Sequence, residues 1–152
     1  MYLAVILLLM FVLPVGSAVW EAGHSAAPEL IVSVCRWFVF WAVGIRLALA
    51  GVRQVAKPAF TAGTIFGVGD RKALPIVQEL GFGNLAIAAI AVLSLFKPGW
   101  MIPAATAGQI FYGLAGLKHA VTPGRGRLQT IAMISDLWVF AVLTVGLTAL
   151  SV

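Results

Sequence analysis

Residues 30–52, LIVSVCRWFVFWAVGIRLALAGV, form a long apolar run that carries only two charges, Arg36 and Arg46. A helix needs roughly 20 mainly apolar residues to cross the hydrocarbon core of a bilayer. This run therefore predicts a transmembrane helix. The sequence as a whole predicts an all-α integral membrane protein, a single domain over residues 1–152, with five such helices at about 2–20, 30–52, 76–96, 99–121 and 128–150.

The composition of the chain excludes a water-soluble surface. Of 152 residues, 62% are hydrophobic and 10% are charged, and the mean hydropathy is +1.06. A soluble domain carries about 25% charged residues. The single cysteine, Cys35, excludes an internal disulfide framework and a multi-cysteine metal or iron–sulfur site.

The first apolar run has two interpretations. The small residues 16–18 could end a cleaved secretory signal, but no basic region precedes the run. We therefore expect a retained helix with a kink at Pro14.

The lysines and arginines predict an orientation. Cytoplasmic loops carry an excess of lysine and arginine. The connections at 21–29 and 97–98 contain a single such residue, Lys97, so both are expected to face outward. We therefore expect a multi-pass membrane protein with a cytoplasmic N-terminus and an outer C-terminus. The +5 net charge follows from this topology, so the lipid bilayer and not nucleic acid is the expected partner. Seven basic residues belong to the two cytoplasmic connections: Arg53, Lys57, Arg71, Lys72, Lys118, Arg125 and Arg127.

The connection at 53–75 contains a short apolar segment, residues 58–67, which cannot span a bilayer. Pro58 at its start and Gly67 at its end suit a short helix, and Asp70 is placed to cap the helix that follows. We predict an interfacial or re-entrant helix here. It would act either as a gate over a cytoplasmic cavity or as a surface anchor.

Ionisable residues inside the membrane indicate where polar groups meet. At 1.5 Å per residue, Arg46 lies about 9 Å and Asp136 about 12 Å from the cytoplasmic end of its helix, so the two are expected to form an ion pair. Glu79 lies about 4–5 Å deep, within reach of Arg53 or Arg46 by snorkelling. Arg36 is nearer the outer side and is expected to reach the outer surface, a carboxylate there or a backbone carbonyl.

A polar face on the fourth run extends this set. Gln109, Tyr112 and His119 share one helix face. The face either lines a pocket for a small ligand, a proton or a quinone headgroup, or it holds the helices together. The predicted ligand-binding or buried polar residues are Arg46, Arg53, Gln54, Glu79, Asn84, Gln109, Tyr112, His119 and Asp136.

Several chemistries lack the residues they need. A bis-histidine haem or a zinc site would require His24 and His119 to meet, yet the expected topology puts them on opposite sides. No serine has the context of an activated nucleophile. We expect no metal and no catalytic residue, and the sequence identifies no cofactor.

Several short segments follow one another in a recognisable order. They are FWAVG at 40–44, RQ at 53–54, PAFT at 58–61, ELGFGNL at 79–85, FYGLAG at 111–116 and SDL at 135–137. With these segments, from Arg36 onward, the chain resembles the DoxX-like four-helix membrane proteins, and still more closely a group of uncharacterised bacterial multi-pass proteins with an added N-terminal helix. The resemblance implies a four-helix bundle plus one helix, a location in the bacterial inner membrane and a loose association with quinone-linked redox complexes.

Three hypotheses for function remain open at this stage. The first is a membrane-embedded accessory protein or subunit that holds a lipid or quinone headgroup and has a membrane protein partner. The second is a small-solute or proton-coupled transporter or channel lined by Asp136, Glu79 and Arg46. The third is a self-associating structural protein, which would form a homo-oligomer.

Overall fold

A computed structural model describes residues 2–24 and 30–150 of the chain. Within these ranges the regular structure is entirely helical, with no strand, which confirms the all-α prediction. A helix satisfies its own backbone hydrogen bonds, and this is what an apolar environment requires of a membrane-spanning segment.

Six helices, α1 to α6 in chain order, make up the described part of the chain. Two of the long helices, α1 and α2, contain a π-helical stretch, and α3 is short. Helix α1 comprises Tyr2–Leu7, the π-helical Leu8–Val12 and Leu13–His24, and α2 comprises Leu30–Phe38, the π-helical Val39–Ile45 and Arg46–Ala56. Helix α3 is Pro58–Phe60 continued by the π-helical Thr61–Ile65, α4 is Leu74–Leu93 after the 3-10 turn Arg71–Ala73, α5 is Met101–Ala120 after the 3-10 turn Pro98–Trp100, and α6 is Arg127–Leu150.

Four stretches in the described residues are long and apolar enough to cross a membrane, where the sequence predicted five. Helix α5 has the length, at 20 residues, but Thr106, Gln109 and three glycines lower its hydropathy. Gln109 also belongs to the polar face predicted for this helix, so the feature that suggests a function also makes the helix less apolar. A fifth span through α5 stays a prediction. The four candidate spans are Leu3–His24, Leu30–Ala56, Arg71–Leu93 and Arg127–Leu150.

Helix ends differ from the expected ones by a few residues. Helix α1 continues to His24, so much of the connection expected at 21–29 is helical, and Glu29 falls outside the described residues. The prediction for Asp70 is confirmed, because its carboxylate accepts a hydrogen bond from the Lys72 backbone N–H at 2.9 Å. After α3 the backbone turns at Gly67, whose φ of +67° lies in the left-handed region that favours glycine.

Arg36 connects α2 to α1. Its guanidinium forms an ion pair with Glu21, and the Trp37 indole N–H donates to the other carboxylate oxygen of Glu21 at 2.9 Å. Of the alternatives predicted for Arg36, the structure selects a carboxylate on α1. The position of this cluster relative to a bilayer stays a prediction.

The π-helical stretch of α1 lies next to Pro14, where a kink was expected. Proline has no backbone N–H, so Pro14 cannot donate to the carbonyl four residues earlier, that of Met10. The Trp138 indole on α6 donates a hydrogen bond to this carbonyl at 3.1 Å. The irregular backbone of α1 beside Pro14 thus takes part in a polar contact between α1 and α6.

Glycines set the distances between the main helices. Helices α2 and α4 form one extensive pair and α5 and α6 another. A Cβ added at Gly51 would lie 2.8 Å from the Gly81 carbonyl oxygen, and one added at Gly116 would lie 2.8 Å from the Leu137 side chain. Small residues of this kind let helix backbones approach closely where no water drives their association.

The two pairs meet closely at one end only. A Cβ at Gly108 of α5 would lie 2.5 Å from Val43 of α2, so these helices are in direct contact there. We call this region, with Gly44, Ala105 and Leu143 around it, the closed half. The opposite end, where α2 and α5 end and α4 and α6 begin, we call the basic end.

The outer surface of the helices is apolar. Large side chains are exposed along every long helix, among them Val19, Leu49, Ile76, Leu114 and Val145. Soluble monomers rarely expose apolar surface on this scale, so the surface fits contact with lipid chains.

Candidate functional site

A cavity of about 760 Å³ lies between the two helix pairs at the basic end. It is lined by residues of α2, α4, α5 and α6, by the start of α1 through Val5 and Ile6, and by α3 through Phe60 and Thr61. Ligand pockets in proteins span about 300–1,000 Å³, so this cavity has room for a ligand of ordinary size. Hydrocarbon side chains make up more than half of the lining.

The cavity brings together seven of the nine residues predicted as a polar network. These seven come from four helices that are distant in sequence. They are Arg46, Arg53, Gln54, Asn84, Tyr112, His119 and Asp136.

Four of these side chains form a layer at one depth. Counted from the basic end at 1.5 Å per residue, Arg46, Asn84, Tyr112 and Asp136 lie about 12 to 15 Å along their helices. The sequence predicted this match in depth for Arg46 and Asp136. Successive long helices run in opposite directions, so α2 and α5 end at the basic end and α4 and α6 begin there. Residues near the end of one helix and near the start of the next therefore lie at similar depths.

Asn84 lies in this layer with one polar atom unpaired. Its Nδ2 donates to Gln54 Oε1 at 2.7 Å, which connects α4 to α2. The side chain is only 2% exposed, and its Oδ1 has no hydrogen-bond partner among the described residues. A buried acceptor without a donor is costly, so Oδ1 is an atom that a ligand or water would satisfy.

Tyr112 is fixed by an irregularity in α2. The N–H of Arg46 bonds to the carbonyls of Trp41 and Val43 rather than to that of Ala42. The Ala42 carbonyl therefore accepts a hydrogen bond from the Tyr112 hydroxyl, at 2.5 Å. Freed carbonyls of this kind are typical of π-helical stretches, and this one positions the phenol at the inner end of the cavity.

The ion pair predicted between Arg46 and Asp136 does not form. In the described residues the ion pair present is the one between Arg36 and Glu21. The side chains of Arg46 and Asp136 both line the cavity. Asp136 is 6% exposed, so its carboxyl group lies in a largely enclosed position without a directly bonded cation.

The mouth of the cavity is formed by α3 and by the ends of α2 and α6. The guanidinium of Arg53 stacks over the Phe60 ring, 3.7 Å from its centroid. Gln129 Nε2 donates to the Ile65 carbonyl at 3.1 Å, which attaches α3 to α6. Helix α3 thus lies across the basic end. The sequence analysis left two roles open for this helix, a gate and a surface anchor.

Two predicted residues lie elsewhere. Glu79 is exposed and does not line the cavity. Neither Arg46 nor Arg53 forms an ion pair with it in the described part of the chain, because Glu79 is on a different face of α4 from Asn84. Gln109 donates to Thr144 Oγ1 at 2.9 Å and holds α5 to α6, which is the packing role weighed for this polar face.

The predicted site did not include four polar residues of the lining: Thr61, Lys118, Thr122 and Gln129. Lys118 counted only as a topological charge, although it neighbours His119 and lines the cavity. Gln129 was not singled out. Its spacing from Ala132 and Asp136, i, i+3 and i+7, puts all three on one helix face and could have identified it.

The fold and the cavity define an all-helical protein of membrane-spanning type with an internal polar pocket. Four of its helices have the length and apolarity to cross a bilayer. The chain belongs to a family of unknown function, DUF6790, whose family model matches residues 3–123. That match ends before α6, so Gln129 and Asp136 lie beyond it. No curated protein and no solved structure matches the chain.

Proposed function

We propose that this chain binds an amphipathic molecule, with a lipid or quinone headgroup, in the cavity at the basic end, and acts as a non-catalytic membrane subunit or accessory protein. One observation carries the proposal: a single cavity of about 760 Å³ combines a layer of polar side chains with a mainly hydrocarbon lining. An amphipathic ligand needs both surfaces. A purely packing role for these polar groups would bring them into direct contact and would leave no such volume between them.

The membrane topology belongs to the same proposal. Five spans with the N-terminus inside would put α5 across the bilayer and the basic end at the cytoplasmic face of a bacterial inner membrane. Support comes from Arg53, Arg71, Lys118 and Arg127, which all lie at or near helix ends there. A phosphatase fused after the last residue should be active outside the membrane. Activity of a cytoplasmic reporter at that position instead would contradict five spans.

The resemblance to DoxX-like proteins also enters as a proposal. It is supported by the pairing of α2 with α4 and of α5 with α6. These four helices would form the bundle, and α1 would be the added helix that packs beside α2 through the Glu21–Arg36 ion pair.

Native mass spectrometry of the protein extracted from its own membrane tests the binding function. We expect a stoichiometric amphiphile on the wild-type chain. Ala115→Phe, which places a ring in the cavity lining, should reduce that species about tenfold. Leu117→Phe is the matched control, because Leu117 is 57% exposed and outside the lining, and it should retain the ligand.

The same spectra separate the alternatives. A second protein at fixed stoichiometry supports the subunit role, and a homodimer or higher species supports self-association. A bare wild-type monomer without amphiphile under conditions that preserve other membrane complexes would contradict the proposal.

A proton-coupled transporter is the second candidate. The observation that favours it is that Arg46 and Asp136 face the cavity without forming an ion pair. It would require the closed half to open, since Gly108 packs against Val43 there. Proteoliposomes that acidify internally in an Asp136-dependent manner would support transport, whereas tight vesicles containing wild-type protein would exclude it.

A further inference from the structure

The cavity lining restricts the chemistry of the headgroup. We infer that the bound amphiphile has an anionic phosphate-ester headgroup that also carries a free hydroxyl group. This inference rests on the proposed function, because it names the ligand class of the same cavity. Two independent features support it: an excess of positive charge in the lining and a buried oxygen atom without a donor.

The charge of the lining is positive. Arg46, Arg53 and Lys118 line the cavity, and Asp136 is the single carboxylate among the lining residues of the described chain. With His119 neutral, three cations against one anion leave an excess of two positive charges. Arg53 and Lys118 are exposed and attract anions to the basic end, whereas Arg46 is partly buried, and a buried charge needs a counter-charge. A neutral quinone would not supply one, whereas a phosphate ester would, and arginine binds phosphate oxygens in bidentate geometry.

The unpaired oxygen requires a donor. Asn84 Oδ1 is buried and accepts no hydrogen bond within the described residues, since Nδ2 makes the contact with Gln54. An ionised phosphate diester only accepts hydrogen bonds, so a second group of the headgroup must donate. An ammonium would add to the positive excess. A hydroxyl group supplies the donor without charge.

The arrangement of these groups fits one headgroup with attached chains. Asn84 and Arg46 share a depth, while Arg53 and Lys118 lie nearer the basic end. Leu49, Leu80 and Leu114 line the cavity and are exposed by 52%, 36% and 65%, so the cavity is open beside them. Acyl chains can continue through this opening into the bilayer while the headgroup stays inside.

The test compares ligands that differ by one feature. Delipidated full-length protein is mixed with phosphatidylglycerol, phosphatidylethanol or phosphatidylethanolamine of identical acyl chains, and bound lipid is measured by native mass spectrometry. Phosphatidylethanol has the charge of phosphatidylglycerol without the hydroxyls, and phosphatidylethanolamine is zwitterionic. We expect phosphatidylglycerol to bind about tenfold more tightly than either, the size of one good hydrogen bond or one unbalanced charge.

Soluble glycerol phosphate and a quinone complete the series. Binding of glycerol phosphate with the affinity of the lipid would assign the site to a free metabolite rather than to a lipid, with the headgroup chemistry unchanged. Preference for the quinone, or equal binding of phosphatidylglycerol and phosphatidylethanol, would overturn the headgroup inference and leave the proposed function standing. Binding of none of these amphiphiles would overturn both.

Two variants locate the contacts. Arg46→Gln should weaken phosphatidylglycerol and phosphatidylethanol alike, by about tenfold or more. Asn84→Leu should remove only the preference between them. Because Asn84→Leu also leaves Gln54 Oε1 unpaired, the double variant with Gln54→Leu serves as its folding control. A preference that survives in both would contradict the role of Oδ1.

Discussion

The closed half and the basic end are built from the same four helices, yet one is tightly packed and the other encloses a cavity. In the closed half, added Cβ atoms at Gly44 and Gly108 would lie 2.9 Å from Val92 and 2.5 Å from Val43. At the basic end these helices carry long polar side chains instead, and about 760 Å³ stays open between them. Small residues let the helices pack closely in one half of the bundle. In the other half, charged side chains that do not bond to each other line the cavity.

The largest expected effect comes from adding the same ring to both regions. Ala105 is 0% exposed in the closed half, and Ala115 lines the cavity. Ala105→Phe should lower the free energy of unfolding by about 3 kcal/mol, since an overpacked core has no space for the ring. Ala115→Phe should change it by less than about 1 kcal/mol. Thermal unfolding in detergent, followed by tryptophan fluorescence, measures both, and equal losses would remove the distinction between the halves.

A smaller effect is expected from a single methyl group. Gly108→Ala would bring a Cβ to 2.5 Å from a Val43 methyl, so the two helices must separate. The expected cost is about 1–2 kcal/mol. Gly83→Ala is the matched control, because nothing lies within 4 Å of a Cβ at Gly83. The same unfolding measurement applies, and a neutral Gly108→Ala would show that the closed half is less tightly packed than the distances indicate.

The smallest expected effect concerns a hydrogen bond outside the cavity. Trp138→Phe should cost about 0.6 kcal/mol, the average for polar contacts between membrane helices, because the Met10 carbonyl loses its donor. In a Pro14→Ala background, the residue at 14 regains an N–H and can satisfy that carbonyl. The cost of Trp138→Phe should then be smaller, and a double-mutant cycle by chemical denaturation measures the difference. An unchanged cost would mean that Trp138 stabilises the fold only through its ring contacts with Phe11 of α1 and Phe38 of α2.

Much of the fold could be predicted because it depends on local patterns. Runs of apolar residues identified the long helices to within a few positions, and Asp70 was identified as a cap from its place before a helix. The polar layer was found by depth, since 1.5 Å per residue converts sequence position into height along a helix. Height along the helix does not say, however, which way a side chain faces, because that depends on its position around the helix axis. Glu79 was placed at a plausible height on α4, but it lies on the exposed face.

The contacts between helices could not be predicted in the same way. Arg46 and Asp136 share a depth, but whether they touch depends on how far apart α2 and α6 lie there, and contacts elsewhere along the two helices, such as that of Gly146 with Cys35, help to set that spacing. The carbonyls of Met10 and Ala42 show the same limit. Each lies in or beside an irregular stretch of its helix, and each accepts a hydrogen bond from a side chain far away in sequence.

The sequence by itself determined the class of protein, its helices, the basic end and seven of the residues that meet there, because hydropathy, charge and helical period are local properties. The tertiary structure alone decided that these residues surround a cavity, that Gln54 and Asn84 bond to each other while Arg46 and Asp136 do not, and that Gln109 and Glu79 do not take part. It also decided that Asn84 Oδ1 has no donor within the described part of the chain. Those outcomes depend on distances between helices, which result from the packing of all the side chains together and are not encoded at any single position.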